Sequence, residues 1–346
     1  MASPASSAII DFTEAVYDLE LSDEEWLPTV IERGLPVLDR GLGVAGIEYG
    51  RNPEVGEVEI HQIHAASGPA DFPERHLAAL AATPPEVLRE QARPGQAATM
   101  STTTRSHPEA LERYISHVDY CEDVLGITTV DCRGAGAAIV APLAEATTLT
   151  GRDAQRWQMV AAHFDAGHRL RCRLKHGLAA KAEGDEPSGE LPHDAEAILN
   201  SKTFRVEDAV RGAKDRGIAG KLRERAVELD RARGKMRETD PEKALSTWQA
   251  LVWGRWSLVD WFDSGGRRYV VAIPNSPHMT DPRGLTESEN QVVAYAVRGD
   301  TNKLISYRLG LSASQVSRLL RSSMKKLGFR TRAQLVNSMQ AFQSLQ

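Results

Sequence analysis

The run Thr301-Asn-Lys-Leu-Ile-Ser-Tyr-Arg-Leu-Gly-Leu-Ser-Ala-Ser-Gln-Val-Ser-Arg-Leu-Leu-Arg-Ser-Ser-Met-Lys-Lys-Leu-Gly328 carries the punctuation of two helices and a tight turn. Ser312-Ala-Ser-Gln315 fits the capping box, in which a hydroxyl caps the third amide and a Glu or Gln reaches back to the cap. Gly310 and Gly328 stand at helix ends, where glycine alone enters the left-handed conformation cheaply. The same signals continue on both sides. Thr286-Glu-Ser-Glu289 and Thr331-Arg-Ala-Gln334 are further capping boxes, Gly299 is a further stop, and Asp300 or Thr301 can cap the remaining helix. These signals predict helices over roughly 287–298, 302–309, 313–327 and 332–343. Helices this short hold only when packed on one another. Val292, Val293, Ala296, Leu304, Ile305, Leu309, Leu311, Val316, Leu320, Met324 and Leu327 supply that core.

Gly310-Leu-Ser312 is the short glycine turn of a helix-turn-helix. On the helix after it, Val316, Leu320, Met324 and Leu327 face inward. Ser317, Arg318, Arg321, Ser322 and Lys325 then form a polar, basic outer stripe. A helix of this size fits the major groove, with early residues on base edges and later ones on phosphate. Such a stripe is often only a solvated face, and here the local charge decides. The chain of 346 residues has a formal net charge of −5. From Leu285 to Gln346, however, nine basic side chains stand against three acidic ones, a net +6 that leaves −11 for everything before it. A basic module on an acidic body is what a phosphate backbone attracts.

Leu285-Thr-Glu-Ser-Glu289, Asn302-Lys-Leu-Ile305, Leu309-Gly-Leu-Ser312, Val316 and Lys326-Leu-Gly328 followed by Arg332 resemble the LuxR-type (GerE) DNA-binding domain in order and spacing, from Leu285 to about Val336. The resemblance implies a four-helix domain whose third helix, about 313–327, enters the major groove, usually in a dimer joined through the fourth. It makes Lys303, Ser314, Gln315, Ser317, Arg318, Arg321, Ser322, Lys325 and Lys326 the candidate DNA contacts, with Thr286 as the cap of the first helix. Leu335, Met339 and Phe342 share a face of the fourth helix and are the candidate dimer contacts; packing within one chain or against the body is the open alternative. Ser288 stands where the family usually has arginine, Gln315 replaces a threonine, Ser317 a lysine and Leu319 a histidine. Those departures move the expected base reading to Gln315, Arg318 and Arg321. Gln pairs with adenine and Arg with guanine, each worth roughly 1–3 kcal/mol of discrimination when bidentate.

The rest of the chain reads as α+β, an antiparallel sheet with helices. The polar, Pro/Gly-rich stretch Lys181–Pro192 and the stretch Pro274–Gly284 mark boundaries. They divide the chain into 1–180, 193–275 and 281–346. In the first piece, Trp26 to Leu38 and Arg152 to Leu178 have helical spacing. Gly43–Tyr49, Val55–Ile63, Gly126–Asp131 and Ala137–Ala141 read as strands. The order resembles a GAF-type sensory domain. In the second, Lys221 to Arg237 is a charged helix, and Trp256–Phe262 and Arg267–Ile273 form a hairpin around Asp263-Ser-Gly-Gly266. A helical region before an aromatic hairpin resembles the latter half of a PAS-type domain, so this piece is PAS-like or a connector.

Other chemistries find little support. Cys121, Cys132 and Cys172 are too few and scattered for a disulfide framework or a four-ligand zinc site. His61 and His64 fall on opposite faces of a strand, and His168 with Cys172 shares a helix face for which a structural role is the favoured reading. Asp119, Glu122 and Asp123 read as a mostly solvated helix end. Trp248, Trp253, Trp256 and Trp261 crowd together and read as core before ligand pocket. No nucleotide loop, nucleophile elbow or HExxH pattern occurs, so no catalytic residue, metal ligand or cofactor is expected. Met1 to Ile10 lacks the charged start expected of a signal peptide, and the longest apolar run, around Ala135 to Ala141, falls short of membrane-spanning length.

The expectation is a cytoplasmic, dimeric, sequence-specific transcriptional regulator. Its partners would be double-stranded DNA, a small-molecule or protein effector at the N-terminal region and, as a candidate, RNA polymerase, with no membrane. Two rivals remain: an interaction protein whose tail holds DNA without sequence preference, and a body with enzymatic activity.

Overall fold

The computed structural model describes residues 4–51, 58–84, 95–130, 136–182, 191–240, 243–244, 247–248, 250–252, 256–275, 285, 287–297, 300–309, 311–326, 331–333 and 335. Helices α1 (Pro4–Val16) and α2 (Asp23–Leu38) lead into a hairpin of β1 (Val44–Arg51) and β2 (Val58–Ser67). Then come α3 (Phe72–Ala81), β3 (Gln96–Thr99), the single turn α4 (Met100–Thr103) and α5 (Pro108–His117). A second hairpin, β4 (Asp123–Val130) and β5 (Gly136–Leu143), precedes the long helix α6 (Gly151–Ala182). The five strands form one antiparallel sheet in the order β2-β1-β5-β4-β3.

Period-2 alternation splits this sheet into two buried faces. Leu125, Ile127, Ala137, Ile139 and Ala141 point to a core built with α1, α2 and α6. Ala45, Val124 and Val140 point the other way, to Phe72, Ala79, Met100 and Tyr114 from α3, α4 and α5. β5 is therefore apolar along its length, as a strand covered on both sides must be. Gly46 lies where α2 comes closest, since a Cβ there would meet Ile31 Cδ1 at 2.2 Å. α2 opens on a complete capping box between Ser22 and Glu25 and tolerates Pro28 inside it. Proline removes the N–H that would have bonded the Glu24 carbonyl, and Gln62 Nε2 from β2 donates to that carbonyl instead at 3.2 Å.

A second antiparallel sheet follows, with β6 (Ala197–Asn200), β7 (Val206–Ala209), β8 (Leu251–Val252), β9 (Trp256–Phe262) and β10 (Arg268–Pro274) in the order β7-β6-β10-β9-β8. Helix α7 (Arg216–Arg233) buries Leu222, Ala226, Leu229 and Ala232 against this region and stops at Gly234, after which α8 (Lys235–Thr239) adds one short turn. The hairpin between β9 and β10 turns where expected: Asp263 Oδ1 accepts from the Gly265 and Arg267 amides, and Gly266 takes a φ of 75°.

One apolar core runs through both sheets, from Ile9, Phe12 and Phe164 to Leu199, Val259 and Val271. The boundary at 181–192 thus separates two sheets and not two cores. Ion pairs stitch the same seam. Arg237 meets Asp11, and Glu14 at 3.0 Å, while Arg233 reaches Glu14 at 3.5 Å and Asp260 at 3.0 Å. Burial raises the pKa of the Glu14 carboxyl, and the neighbouring Arg233 opposes that shift. On the far part of α6, Arg173 donates to the Pro274 carbonyl at the end of β10.

The chain closes with α9 (Glu287–Val297), α10 (Asn302–Leu309) and α11 (Ala313–Lys326), and a further helical turn begins after Thr331. Their core, Leu285, Val292, Val293, Ala296, Val297, Ile305, Val316, Leu320 and Leu335, is a cluster of its own. The architecture is thus an α+β body with antiparallel sheets, followed by an all-helical domain. No described helix is long and apolar enough to cross a membrane.

Candidate nucleic-acid interface and a cavity on the first sheet

The turn between α10 and α11 is built as its residues dictate. The Gln315 amide donates to Ser312 Oγ at 3.2 Å, and the Ser312 amide donates to Gln315 Oε1 at 2.8 Å, so the capping box is complete. Thr301 caps α10 by accepting from the Leu304 amide at 3.3 Å. Arg332 donates to Asn302 Oδ1 at 3.0 Å and to the carbonyls of Ala296 and Asp300. Asn302 in turn donates to Ser317 Oγ at 3.0 Å, which fixes the start of α11 against α10. Ser322 Oγ donates to Glu289 Oε1 at 2.6 Å, tying the middle of α11 to α9, with Glu289 buried. One expected core residue lies outside: Leu304 is 39% exposed, one 100° step from the fully buried Ile305.

These bonds sort the candidate DNA contacts. Lys303, Ser314, Gln315, Arg318, Arg321 and Lys325 are exposed. Ser317 and Ser322 are half-buried and bonded to Asn302 and Glu289. The Gln315 carbonyl oxygen is engaged by the cap, leaving its NH₂ group for any outside partner. Ser314, Arg318, Arg321 and Lys325 are spaced by four, three and four residues, so they fall within an arc of about 60° at 3.6 residues per turn. Lys326 ends α11, but its side chain lies outside the described set, as do Thr286, Met339 and Phe342. Leu335 is fully buried in the domain's own core.

A second site emerges against the first sheet. A cavity of about 230 Å³ is lined from the strands by Ile47, Tyr49, Ile60, Ala98, Val124, Gly126, Thr128, Ala138 and Val140. Its other wall is His76 and Leu80 of α3, Met100 and Thr103 of α4, and Tyr114 of α5. Small residues create the space: Gly126 pairs with Ala98 on one side and Val140 on the other, and Ala138 faces Ile47. His76 and Tyr114 are buried and share a hydrogen bond through Nδ1 and the phenol oxygen. Burial pushes the His76 imidazole down to about 4 and the Tyr114 phenol well above its ordinary range. Neither residue belongs to a motif legible in the sequence; what the sequence does carry is the small residues Gly126 and Ala138 within the strands that leave the space.

The remaining candidates resolve into structure. Asp123 is fully buried, not part of a solvated helix end. Its carboxylate accepts from the Ser101 amide and hydroxyl at 2.9 and 2.5 Å, the Val124 amide at 2.8 Å and the Thr147 amide at 2.8 Å. A carboxylate saturated by four donors is a clamp for the loops it joins. Trp248 and Trp256 are core residues, and Trp256 Nε1 donates to Glu196 at 3.0 Å. Trp253 and Cys132 lie outside the described residues. Cys172 Sγ sits 3.5 Å from His168 Nε2, and among the described residues no group of three or more His, Cys, Asp or Glu could hold a metal.

Residues 283–339 match the family described as "Bacterial regulatory proteins, luxR family". The C-terminal segment is thus a GerE-type domain. No curated protein gives a significant match to the chain. Among solved structures, the chain is similar to the crystal structure of Escherichia coli SdiA at 9% identity, over 94% of this chain and 93% of that one, with a TM-score of 0.32. It is also similar to SdiA in complex with octanoyl-rac-glycerol at 9% identity, over 98% and 88%, with a TM-score of 0.29.

Proposed function

We propose that the chain is a sequence-specific transcriptional regulator in which α11 reads the major groove of DNA under control of the N-terminal body. The observation that carries this reading is the single exposed stripe of Ser314, Arg318, Arg321 and Lys325 on the second helix of a GerE-type domain. Ser314 and Arg318 lie toward the helix start, where base edges are met, and Lys325 lies toward its end, where phosphate is met. Exposed Lys303 on α10 adds a second phosphate contact. Ser317 and Ser322, held by Asn302 and Glu289, position the helix. We take the working form to be a two-fold dimer in the cytoplasm, reading half-sites about one helical turn apart. Met339 and Phe342 remain its candidate contacts, because Leu335 is spent on the domain's own core. Control follows if an effector in the body favours one arrangement over another.

The test is selection from a randomised duplex pool at two salt concentrations. The wild-type chain is expected to enrich a roughly palindromic site. An Arg318→Ala/Arg321→Ala variant should lose that enrichment, with each lost bidentate arginine costing about 1–3 kcal/mol at its base. Binding without enrichment that weakens steeply with salt in both proteins would show a tail that holds phosphate alone, and would overturn sequence-specific reading.

A further inference from the structure

We propose that Cys172 is a peroxide-reactive thiol: His168 takes its proton, Lys175 steadies the thiolate, and a hydroperoxide converts it to a sulfenic acid. The inference concerns the body alone and does not rest on the regulator reading.

His168, Cys172 and Lys175 follow one another at four and three residues on α6 and so share a face of that helix. Cys172 Sγ lies 3.5 Å from His168 Nε2 and 3.9 Å from Nδ1. The groups behind the ring decide which nitrogen is the base. Thr129 on β4 has one hydroxyl proton, and it goes to Asp165 Oδ1 at 2.5 Å. The Thr129 oxygen, 3.5 Å from His168 Nδ1, therefore accepts from that nitrogen. Nε2 then keeps its lone pair for the thiol. Arg169 Nε donates to the same Asp165 oxygen at 3.1 Å and holds the far end of this relay in place. A thiol, a base and a third group that orients the base make the arrangement of an activated nucleophile. Thr129, Asp165 and His168 are buried, whereas Cys172 is half-buried, so the relay leads outward to the thiol.

Charge favours the same end. Lys175 holds Asp23 at 2.7 Å. That hydrogen bond is the largest cause of a raised pKa at Lys175, and the charge of a Cys172 thiolate adds to it. The coupling is mutual, so the ammonium favours the thiolate. Asp23 and Glu48 face this corner with Arg171 and Lys175, two carboxylates against two cations, which leaves His168 to tip the balance. Cys121 is the internal contrast. It is 3% exposed and donates to the Val118 carbonyl at 3.4 Å. Burial, with Asp123 and Glu122 beside it, pushes that thiol up to about 11.

The chemistry balances with hydrogen peroxide as the oxidant. The Cys172 thiol proton passes to His168 Nε2. The thiolate attacks one peroxide oxygen, an S–O bond forms and the O–O bond breaks. The departing hydroxide takes the proton from the imidazolium and leaves as water. Sulfur loses two electrons, peroxide gains them, and the product is the sulfenic acid.

The experiment uses the full chain, iodoacetamide as the alkylating probe and N-acetylcysteine as the free-thiol reference, with each cysteine followed by peptide mass spectrometry. Limited access slows a thiol equally at every pH, so the shape of the pH profile reports activation. From pH 6 to 8 the reference rate should climb nearly in proportion to hydroxide, and the Cys172 rate less than tenfold. His168→Gln and Lys175→Gln should each restore the steep climb; the exposed Lys175 carries the test if the first variant does not fold. Hydrogen peroxide followed by dimedone should label Cys172 and leave Cys121 unlabelled, and Cys172→Ser should remove that label. A Cys172 profile parallel to the reference, a profile unchanged in every folded variant, or no dimedone adduct at Cys172 would overturn the proposal.

Discussion

At the scale of single residues, His76 makes the cavity pH-sensitive in a defined direction. Its imidazole titrates near 4 in the folded protein because burial disfavours the cation, against an ordinary value of about 6.5 in the unfolded chain. The unfolded state therefore binds the proton first as pH falls. The stability tied to a neutral His76 is whole above about pH 6.5 and declines until about pH 4, by about 3 kcal/mol in total. Thermal melts from pH 7 to 4.5 should show this fall, and His76→Phe should flatten it; a wild-type Tm independent of pH over that window would refute it. The groove-facing residues show how far single positions could be read in advance. Arg318 and Arg321 are exposed as their spacing requires. Ser317 and Ser322 occupy equally plausible spacings, but their hydroxyls are taken by Asn302 and Glu289, which lie 15 and 33 residues away. Helical periodicity reports which way a side chain leaves its own helix and is blind to a partner arriving from another.

At the scale of elements, short-range rules were strongest where each helix carried its own start and stop. α9, α10 and α11 fall within about a residue of their expected bounds. The capping box that set the start of α11 can be removed singly. Ser312→Ala is expected to destabilise the C-terminal domain by about 1 kcal/mol and to lower DNA affinity equally across sequences, measured by melting the domain and titrating two unrelated duplexes. A loss confined to one duplex would mean that Ser312 reads bases. Elements without local punctuation were not legible. α1 buries Ile9, Ile10, Phe12 and Val16 and so shows no clean apolar stripe. β3, β6 and β7 span four residues each and β8 two, too short for alternation to register. Because α3, α4, α5 and β3 enclose the cavity, the body's candidate site stayed hidden with them.

At the scale of the whole molecule, the division of cores predicts the division of folding. The helical domain has its own core, so a fragment of residues 281–346 should fold alone with a cooperative helical melt. A fragment of residues 1–182 would expose the apolar surface that meets Leu199, Val259 and Val271 in the shared core, and should melt without cooperativity or aggregate. Circular dichroism melts of both fragments decide the matter, and a cooperative 1–182 melt at the full-length Tm would contradict a shared core. The Asp123 clamp has a mechanical corollary. It fastens Ser101, beside the cavity-lining Met100 and Thr103, to Thr147 just ahead of α6. From Gly151 to Arg173, α6 is a rod of about 33 Å at 1.5 Å per residue. The far end of that rod grips the Pro274 carbonyl, where the second sheet ends. Pivoted at its clamped end, such a rod magnifies angle into distance: a tilt of about two degrees sweeps its tip through about 1 Å, the size of shift that packed helices convert into a change of state.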